Sequence, residues 1–428
     1  MKVSVNTVTG CTKEVLVEVP ADKVQTKVDE IYRRISQDAK LPGFRKGKAP
    51  LEAIRKEYKS NVREQILQYE LPEFFREAVK TEKVDPIAQP RITELNFEEG
   101  SPLKFTARVE VKPEFDLKNY KNIKVKKDEA AVSEADVDKT LEGLRDQMAQ
   151  IIPVEETRLA KTGDILVIDF DGQLEGKPFE GGKATRYSVV LGGGNMLKDF
   201  EDALIGMKKD ETKTFKLKFP DDYFGKQVAG KEVDFTVVVH ELKEKKLPMV
   251  DNEFAKDVGK CETVAELRQK IEEDIKARRA AEQRAKLTEQ IGDQLIKDHA
   301  FDVPESLVDA EQKRLIQQGV ERMRHQGVDA NKLNEEQKKD FVEKMRPIAL
   351  RNVHIALIVE KISDKENIQC EPKDFEDYIV KMAKNVNQPP DVIKRYIQQQ
   401  GNQESIQDWI RYEKTLDFLI AEAKTEAA

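Results

Sequence analysis

A change of hydrophobic period constrains this chain more than any other feature. Across 163–246 the apolar residues alternate in short runs, at 165–170, 187–191, 215–219 and 233–242. Period two places every second side chain on one face of a strand, so these runs predict a sheet. Gly181-Gly182 and Gly192-Gly193-Gly194 punctuate them as turns, the triplet lacking the context of a phosphate cradle, and 200–206 reads as one short helix. An antiparallel sheet wrapped on that helix satisfies the pattern. From Asn252 onward the spacing becomes helical and stays so. Thr263-Val264-Ala265-Glu266 reads as a capping box for a long helix carrying Leu267, Ile271, Ile275, Leu287, Ile291 and Leu295. Pro304 opens a second helix, a third spans 336–362, and others follow at 371–386, 390–399 and 404–424. The expectation is a sheet domain at 163–248 followed by an all-α domain of long charged helices at 249–428.

The start of the chain mixes both periods. Residues 3–8 and 15–19 alternate around a Gly10-Cys11 turn, and Pro20-Ala21-Asp22 opens a helix with Val24, Val28, Ile31, Tyr32 and Ile35 on one face. Pro50 opens another helical stretch, 60–82 continues it, and strand-like runs at 90–97 and 103–111 close the unit. Residues 1–112 thus predict an α+β domain. Residues 113–162 read as a connector. Its 115–127 stretch is charged and partly extended, Ser133-Glu134-Ala135-Asp136 caps a helix, and Ile151-Ile152-Pro153 ends that helix.

At 428 residues the chain exceeds one ordinary core, and 36% charged against 39% hydrophobic residues favours long solvated faces over a single globule. No run of 18 apolar residues exists to span a membrane, and residues 1–7 alternate like a strand instead of forming a signal peptide. Cys11, Cys261 and Cys370 are far apart and odd in number, and His240, His299, His325 and His354 show no ligand spacing. A cytoplasmic protein with no metal and no cofactor is expected.

One stretch departs from the acidic whole. Residues 40–59 hold seven basic side chains (Lys40, Arg45, Lys46, Lys48, Arg55, Lys56, Lys59) against Glu52 and Glu57, in a chain of formal net charge −7. At its centre, Gly43-Phe44-Arg45-Lys46-Gly47-Lys48-Ala49-Pro50 sets one aromatic among cations, with glycines that let the backbone turn. The flanking helices would hold it out as a tip. By composition alone such a turn is ordinary solvated surface. A phosphate-binding P-loop is excluded: the stretch is one residue short, Ala49 stands where Ser or Thr should bind magnesium, and no buried strand precedes it. A basic tip on an acidic body suits oriented docking to a strongly anionic partner. The eight residues closely resemble the G-F-R-x-G-K-x-P loop of bacterial trigger factor, a family of ribosome-associated chaperones. The resemblance implies that Phe44, Arg45 and Lys46 bind the large ribosomal subunit near the exit tunnel.

A second resemblance covers the sheet segment. In order, Gly163-Asp164, Asp169-Phe170-Asp171-Gly172, Phe179-Glu180-Gly181-Gly182, Met196-Leu197 through Phe200-Glu201-Asp202, Phe219-Pro220-Asp221-Asp222-Tyr223 and Val233-Asp234-Phe235 resemble the FK506-binding-protein type of prolyl isomerase. The resemblance implies a pocket of Phe170, Phe179, Met196, Leu197, Phe200, Tyr223 and Phe235, with the Leu197 N–H on the substrate carbonyl. Singly, each of these residues would be ordinary core, and only the ordered set argues for a pocket. Such residue types suit the reaction. The barrier to X-Pro rotation, roughly 18–20 kcal/mol, is amide resonance and not a proton transfer. The planar amide is more dipolar than its twisted transition state, so a dry apolar pocket favours twisting. Phe200 stands where many single-domain relatives have Trp, Phe170 for a Tyr and Glu180 for an Asp; trigger factors commonly share the Phe floor.

The order of basic-loop domain, isomerase and helical domain is the trigger factor order over the full length. The expected fold class is multidomain α+β, with an α+β ribosome-binding head, an antiparallel FKBP-like domain and an all-α C-terminal arm domain. The implied function is a ribosome-associated chaperone that binds unfolded nascent polypeptides and isomerises prolyl bonds. The partner set has no membrane and no specific DNA, and includes a homodimer off the ribosome. Two readings compete: an isomerase whose outer domains only recruit substrates, and a nucleic-acid binder using the loop alone, which the acidic remainder weakens.

Overall fold

The computed structural model describes residues 1–42, 44, 47–127, 131–154, 158–221, 223 and 227–427. They fall into two compact units, Met1–Asp128 with Arg284–Ala428, and Glu129–Gln283.

In the first unit, β1 (Lys2–Thr9) and β2 (Thr12–Val19) pair antiparallel, Val3 opposite Val17 and Val5 opposite Val15. Alternation along β2 buries Val15, Val17 and Val19. Pro20, with a φ suited to a helix start, precedes α1 (Ala21–Asp38), whose buried stripe is Val24, Val28, Ile31 and Tyr32. α2 (Leu51–Gln65) turns back along α1, where Arg55 meets Asp29 at 2.6 Å. One π-helical turn, Ile66–Glu70, leads into α3 (Leu71–Thr81); simple periodicity gives no sign of it. β3 (Arg91–Asn96) and β4 (Leu103–Glu110) complete an antiparallel sheet of order β1-β2-β4-β3, packed in one core with the three helices.

Residues 113–127, expected to be connector, are packed instead. Phe115 stacks on Phe301 at 4.2 Å, Tyr120, Ile123 and Val125 are buried, and the stretch ends in β5 (Lys124–Lys127). Lysines at 121, 124, 126 and 127 surround these apolar residues and give the stretch its solvated look.

The second unit opens with α4 (Glu134–Gln147) at the expected capping box. Ser133 Oγ accepts from the Asp136 N–H at 3.3 Å, and the Asp136 carboxylate accepts from the Ser133 N–H at 3.0 Å. Ile151-Ile152-Pro153, read as a helix stop, lie in strand β6 (Gln150–Pro153). There follow β7 (Ile165–Leu174), β8 (Lys177–Val190), α5 (Lys198–Leu204), β9 (Thr212–Lys218) and β10 (Glu232–Lys246). The antiparallel sheet has the order β6-β10-β7-β8, and β9 shares with β6 the edge of β10 opposite β7. α6 (Asn252–Gly259) and the first part of α7 (Val264–Asp298) pack with α4 through Val137, Leu141, Phe254, Leu267, Ile271 and Ile275.

From Arg284, α7 belongs to the first unit. α8 (Glu305–His325) and α9 (Glu335–Lys365) approach so closely that a Cβ at Gly319 would lie 2.5 Å from the Phe341 ring. α10 (Pro372–Asn385) and α11 (Pro390–Gln400) share a small core with Ile410 of α12 (Gln403–Glu422). Leu287, Ile291 and Leu295 of α7, Ile355, Ile358, Val359 and Ile362 of α9, and Leu416 and Leu419 of α12 enclose Tyr120, Ile123 and Val125. Among the described residues, one strand interrupts this helical region: β11 (Lys424–Ala427) pairs parallel with β5, Lys424 opposite Lys124. Four residues are too few for alternation to register in a sequence.

Candidate functional site

Alternation along β7 buries Phe170 and leaves Asp169 and Asp171 part-exposed. β10 contributes Phe235, and α5 contributes Phe200, whose buried ring stands edge-on to Phe170 (5.9 Å, 75°) and Phe235 (5.2 Å, 81°). Phe179 of β8 meets Phe235 edge-on at 6.5 Å, and Tyr223 lies 4.8 Å from Phe219. Edge-to-face packing fixes ring directions as well as burying area. Met196 and Leu197 come from the loop before α5. All seven expected pocket residues line one cleft of about 980 Å³.

Two glycines make the aromatic packing possible. Gly172 lies opposite Phe235 in the ladder, and a Cβ there would sit 2.6 Å from the Phe235 ring. A Cβ at Gly182 would sit 2.8 Å from the Phe179 ring. Gly181-Gly182, read as a turn, fall inside β8, so clearance is the stronger requirement on Gly182. Sequence reasoning left out other residues of the cleft lining, among them Tyr187, Asn195, Phe219, Gln227 and Val228. Phe219 stood in one of the motifs. Tyr187, edge-on to Phe170 at 5.9 Å, stood in an alternating run, whereas Gln227 and Val228 carried no pattern.

The carboxyls with displaced titration do not line the cleft. The Arg186 N–H (2.7 Å) and then His240 (2.8 Å) hold the Asp169 carboxyl below the usual carboxylate range. Burial works to raise the Asp164 carboxyl, but the Arg158 guanidinium fork, at 2.6 and 2.9 Å, and the Lys161 N–H outweigh it and lower it. Arg158 also reaches Glu244 at 2.7 Å. The cleft itself has Lys183 among its lining residues, paired with Asp171 at 3.0 Å. Among the described residues, no group of three or more His, Cys, Asp or Glu could hold a metal ion. The cleft is equipped to take up an apolar ring and to hydrogen-bond a carbonyl through backbone amides.

At the basic loop, Phe44 sits between α1 and α2 with 45% of its surface exposed, its N–H on the Leu41 carbonyl at 3.1 Å. Gly47 follows in the left-handed region at φ +73°. Arg45 and Lys46 lie outside the described residues, as does Gly43.

Family models match along the chain: bacterial trigger factor protein at 1–144, FKBP-type peptidyl-prolyl cis-trans isomerase at 156–240, and the C-terminus of bacterial trigger factor protein at 263–421. The trigger factor of Geobacillus sp. (strain WCH70) is 35% identical over 416 residues, 96% of either chain. The chain belongs to the trigger factor family. The trigger factor of Geobacter sulfurreducens is 32% identical over 426 residues, covering 99% of this chain and 98% of that one. A solved trigger factor chaperone, described for promiscuous substrate recognition in folding and assembly, shares the fold at a TM-score of 0.52 and 20% identity, covering 99% of this chain and all of that one. As a trigger factor, the chain is a ribosome-associated chaperone that binds nascent polypeptides, assists folding and carries peptidyl-prolyl isomerase activity. Among the described residues, no helix is long and apolar enough to cross a membrane.

Proposed function

We propose that Phe44, Arg45 and Lys46 dock the chain on the large ribosomal subunit near the exit tunnel, and that Phe170, Phe179, Met196, Leu197, Phe200, Tyr223 and Phe235 form its isomerase pocket. The convergence of those seven side chains on one cleft carries the second half of the proposal. Phe200 would form the floor, the other rings would grip the pyrrolidine, and the Leu197 N–H would hold the substrate carbonyl. The exposed Phe44 on a turn between two helices supports the first half, because an aromatic left in water gains most by being covered. In this reading residues 1–112 are the ribosome-binding domain, 163–248 the isomerase and 249–428 the client-holding domain, and 113–162 join the first two as a linking stretch that is itself packed. The protein works in the cytoplasm and pairs as a homodimer away from the ribosome.

Co-sedimentation with purified ribosomes tests the docking. The Phe44→Ala, Arg45→Ala, Lys46→Ala triple variant should lose nearly all ribosome association with its fold intact. Binding of the parent chain should weaken as salt rises, because cation contacts to RNA release counterions. Undiminished pelleting of the triple variant would reject the assignment.

A further inference from the structure

Among the described residues, two acidic side chains of the second unit are buried, and they are satisfied in different ways. Asp164 has the Arg158 fork. Glu201, only 3% exposed, has no cation partner among the described residues. Its Oε2 accepts from the Gly192 N–H at 2.8 Å and the Gly194 N–H at 3.3 Å, and its Oε1 from the Met196 N–H at 3.0 Å. A carboxylate withdrawn from water is tolerated only when its lone pairs are matched, and bonds to an ionised acceptor are the strong ones. Gly192 and Gly194 take φ of +81° and +71°, which turns their amides toward the carboxylate. The Gly193 N–H is held separately by the Val190 carbonyl at 3.1 Å. The loop is therefore pinned through Met196. Among the described residues, the next amide, that of Leu197, makes no hydrogen bond, and Leu197 lines the cleft together with Phe200.

Glu201 and Phe200 are neighbours on α5, so one short helix sets both the floor of the cleft and the position of the loop. We propose that Glu201 is a positioning residue for isomerisation: without touching substrate, it aims the Leu197 N–H at the substrate carbonyl. The proposal rests on the reading of this cleft as the isomerase pocket. Rotation about the X-Pro bond needs one side of the bond held while the other turns. A hydrogen bond of fixed direction supplies that restraint as the amide twists, whereas the rings hold proline in every state. A slack loop should therefore slow turnover more than it weakens peptide binding.

The test is Glu201→Gln in the full chain, assayed on a short proline peptide at a temperature where circular dichroism shows it fully folded. Gln keeps the shape but turns an NH2 group toward amides that need an acceptor. kcat should fall about tenfold with KM within about twofold. NMR titration adds a readout that mere folding would not move. In the parent chain the peptide should shift the Leu197 amide proton and the Phe200 and Phe235 rings; in Glu201→Gln it should shift the rings alone. Unchanged kcat, or a Leu197 amide that responds as in the parent, would overturn the proposal. If the variant does not fold, hydrogen exchange in the parent chain decides. Protection of the Gly192, Gly194 and Met196 amides equal to that of β7 supports the role, and fast exchange rejects it. A peptide that moves neither rings nor amide in the parent chain would instead refute the pocket reading itself.

Discussion

Seven aromatic rings of the second unit line a single cleft, whereas α8, α9, α11 and α12 leave Val320, Val342, Ile348, Leu350, Tyr396 and Trp409 exposed along their length. The first arrangement spends apolar area on geometry: edge-on rings give a rigid slot suited to one small, stiff group. The second offers area without shape. Ion pairs such as Arg346 with Asp309 and Lys344 with Asp340 stand among those apolar side chains. Exposed pairs of this kind add little stability, but they keep the faces wet between encounters. If the cleft is the isomerase pocket and the helical faces hold clients, as proposed, the two activities draw on different parts of the chain and should separate under mutation.

The largest separation should come from Phe200→Ala. Losing the floor ring should lower kcat/KM on a short proline peptide on the order of 100-fold. Suppression of aggregation of a proline-free client should stay within about twofold. Loss of both activities would break the comparison and favour an enzyme whose other regions only recruit.

Next is the Arg158 fork. Arg158→Ala strands a buried carboxylate, which should cost the second unit about 3–5 kcal/mol in urea unfolding. By the same logic a 149–248 fragment, which keeps β6 and Arg158, should fold and isomerise short peptides, while 163–248 should unfold at lower urea. Equal midpoints for the two fragments would show that the 149–162 stretch adds nothing.

A smaller effect is expected on the helices. Val320, Val342, Ile348 and Leu350, all changed to Ser, should weaken aggregation suppression about threefold, with each surface change costing no more than about 0.5 kcal/mol. Peptide isomerisation should be unaltered; a parallel fall would mean that the two surfaces act as one.

The smallest is a pH effect on the stability of the second unit. Asp164 and Asp169 both titrate below their ordinary range when folded. Their contribution is present above the unfolded carboxyl pKa of about 3.9 and is lost as pH falls through the folded values. Urea midpoints should hold down to about pH 5 and drop below about pH 4. A midpoint that rises on acidification would refute this sign.

That seven residues would share one cleft was legible because they come as an ordered set of motifs, and the long helices because caps and periods agree, as at Ser133 and Pro304. What escaped was non-local. β6 and β11 are four-residue strands whose partners lie far along the chain, so neither has a local pattern to read. Tyr120, Ile123 and Val125 hid among lysines. Glu201 stood in the Phe200-Glu201-Asp202 motif with no role attached, and its contacts to three loop amides are what the sequence does not display. Gly182 read as punctuation because clearance for a ring is a property of two strands together.

The pairing of β5 with β11 also sets a timetable for the protein's own synthesis. Residues 129–283 form one uninterrupted unit, which can close as soon as its last turn of helix emerges. Tyr120, Ile123 and Val125 cannot, because α9, α12 and β11 that cover them are made last. At about 5–20 residues per second, the gap between residue 125 and residue 424 is roughly 15–60 s. For that interval the growing chain carries an uncovered apolar strand of its own. A protein that shelters unfinished polypeptides is, during its own manufacture, one of them.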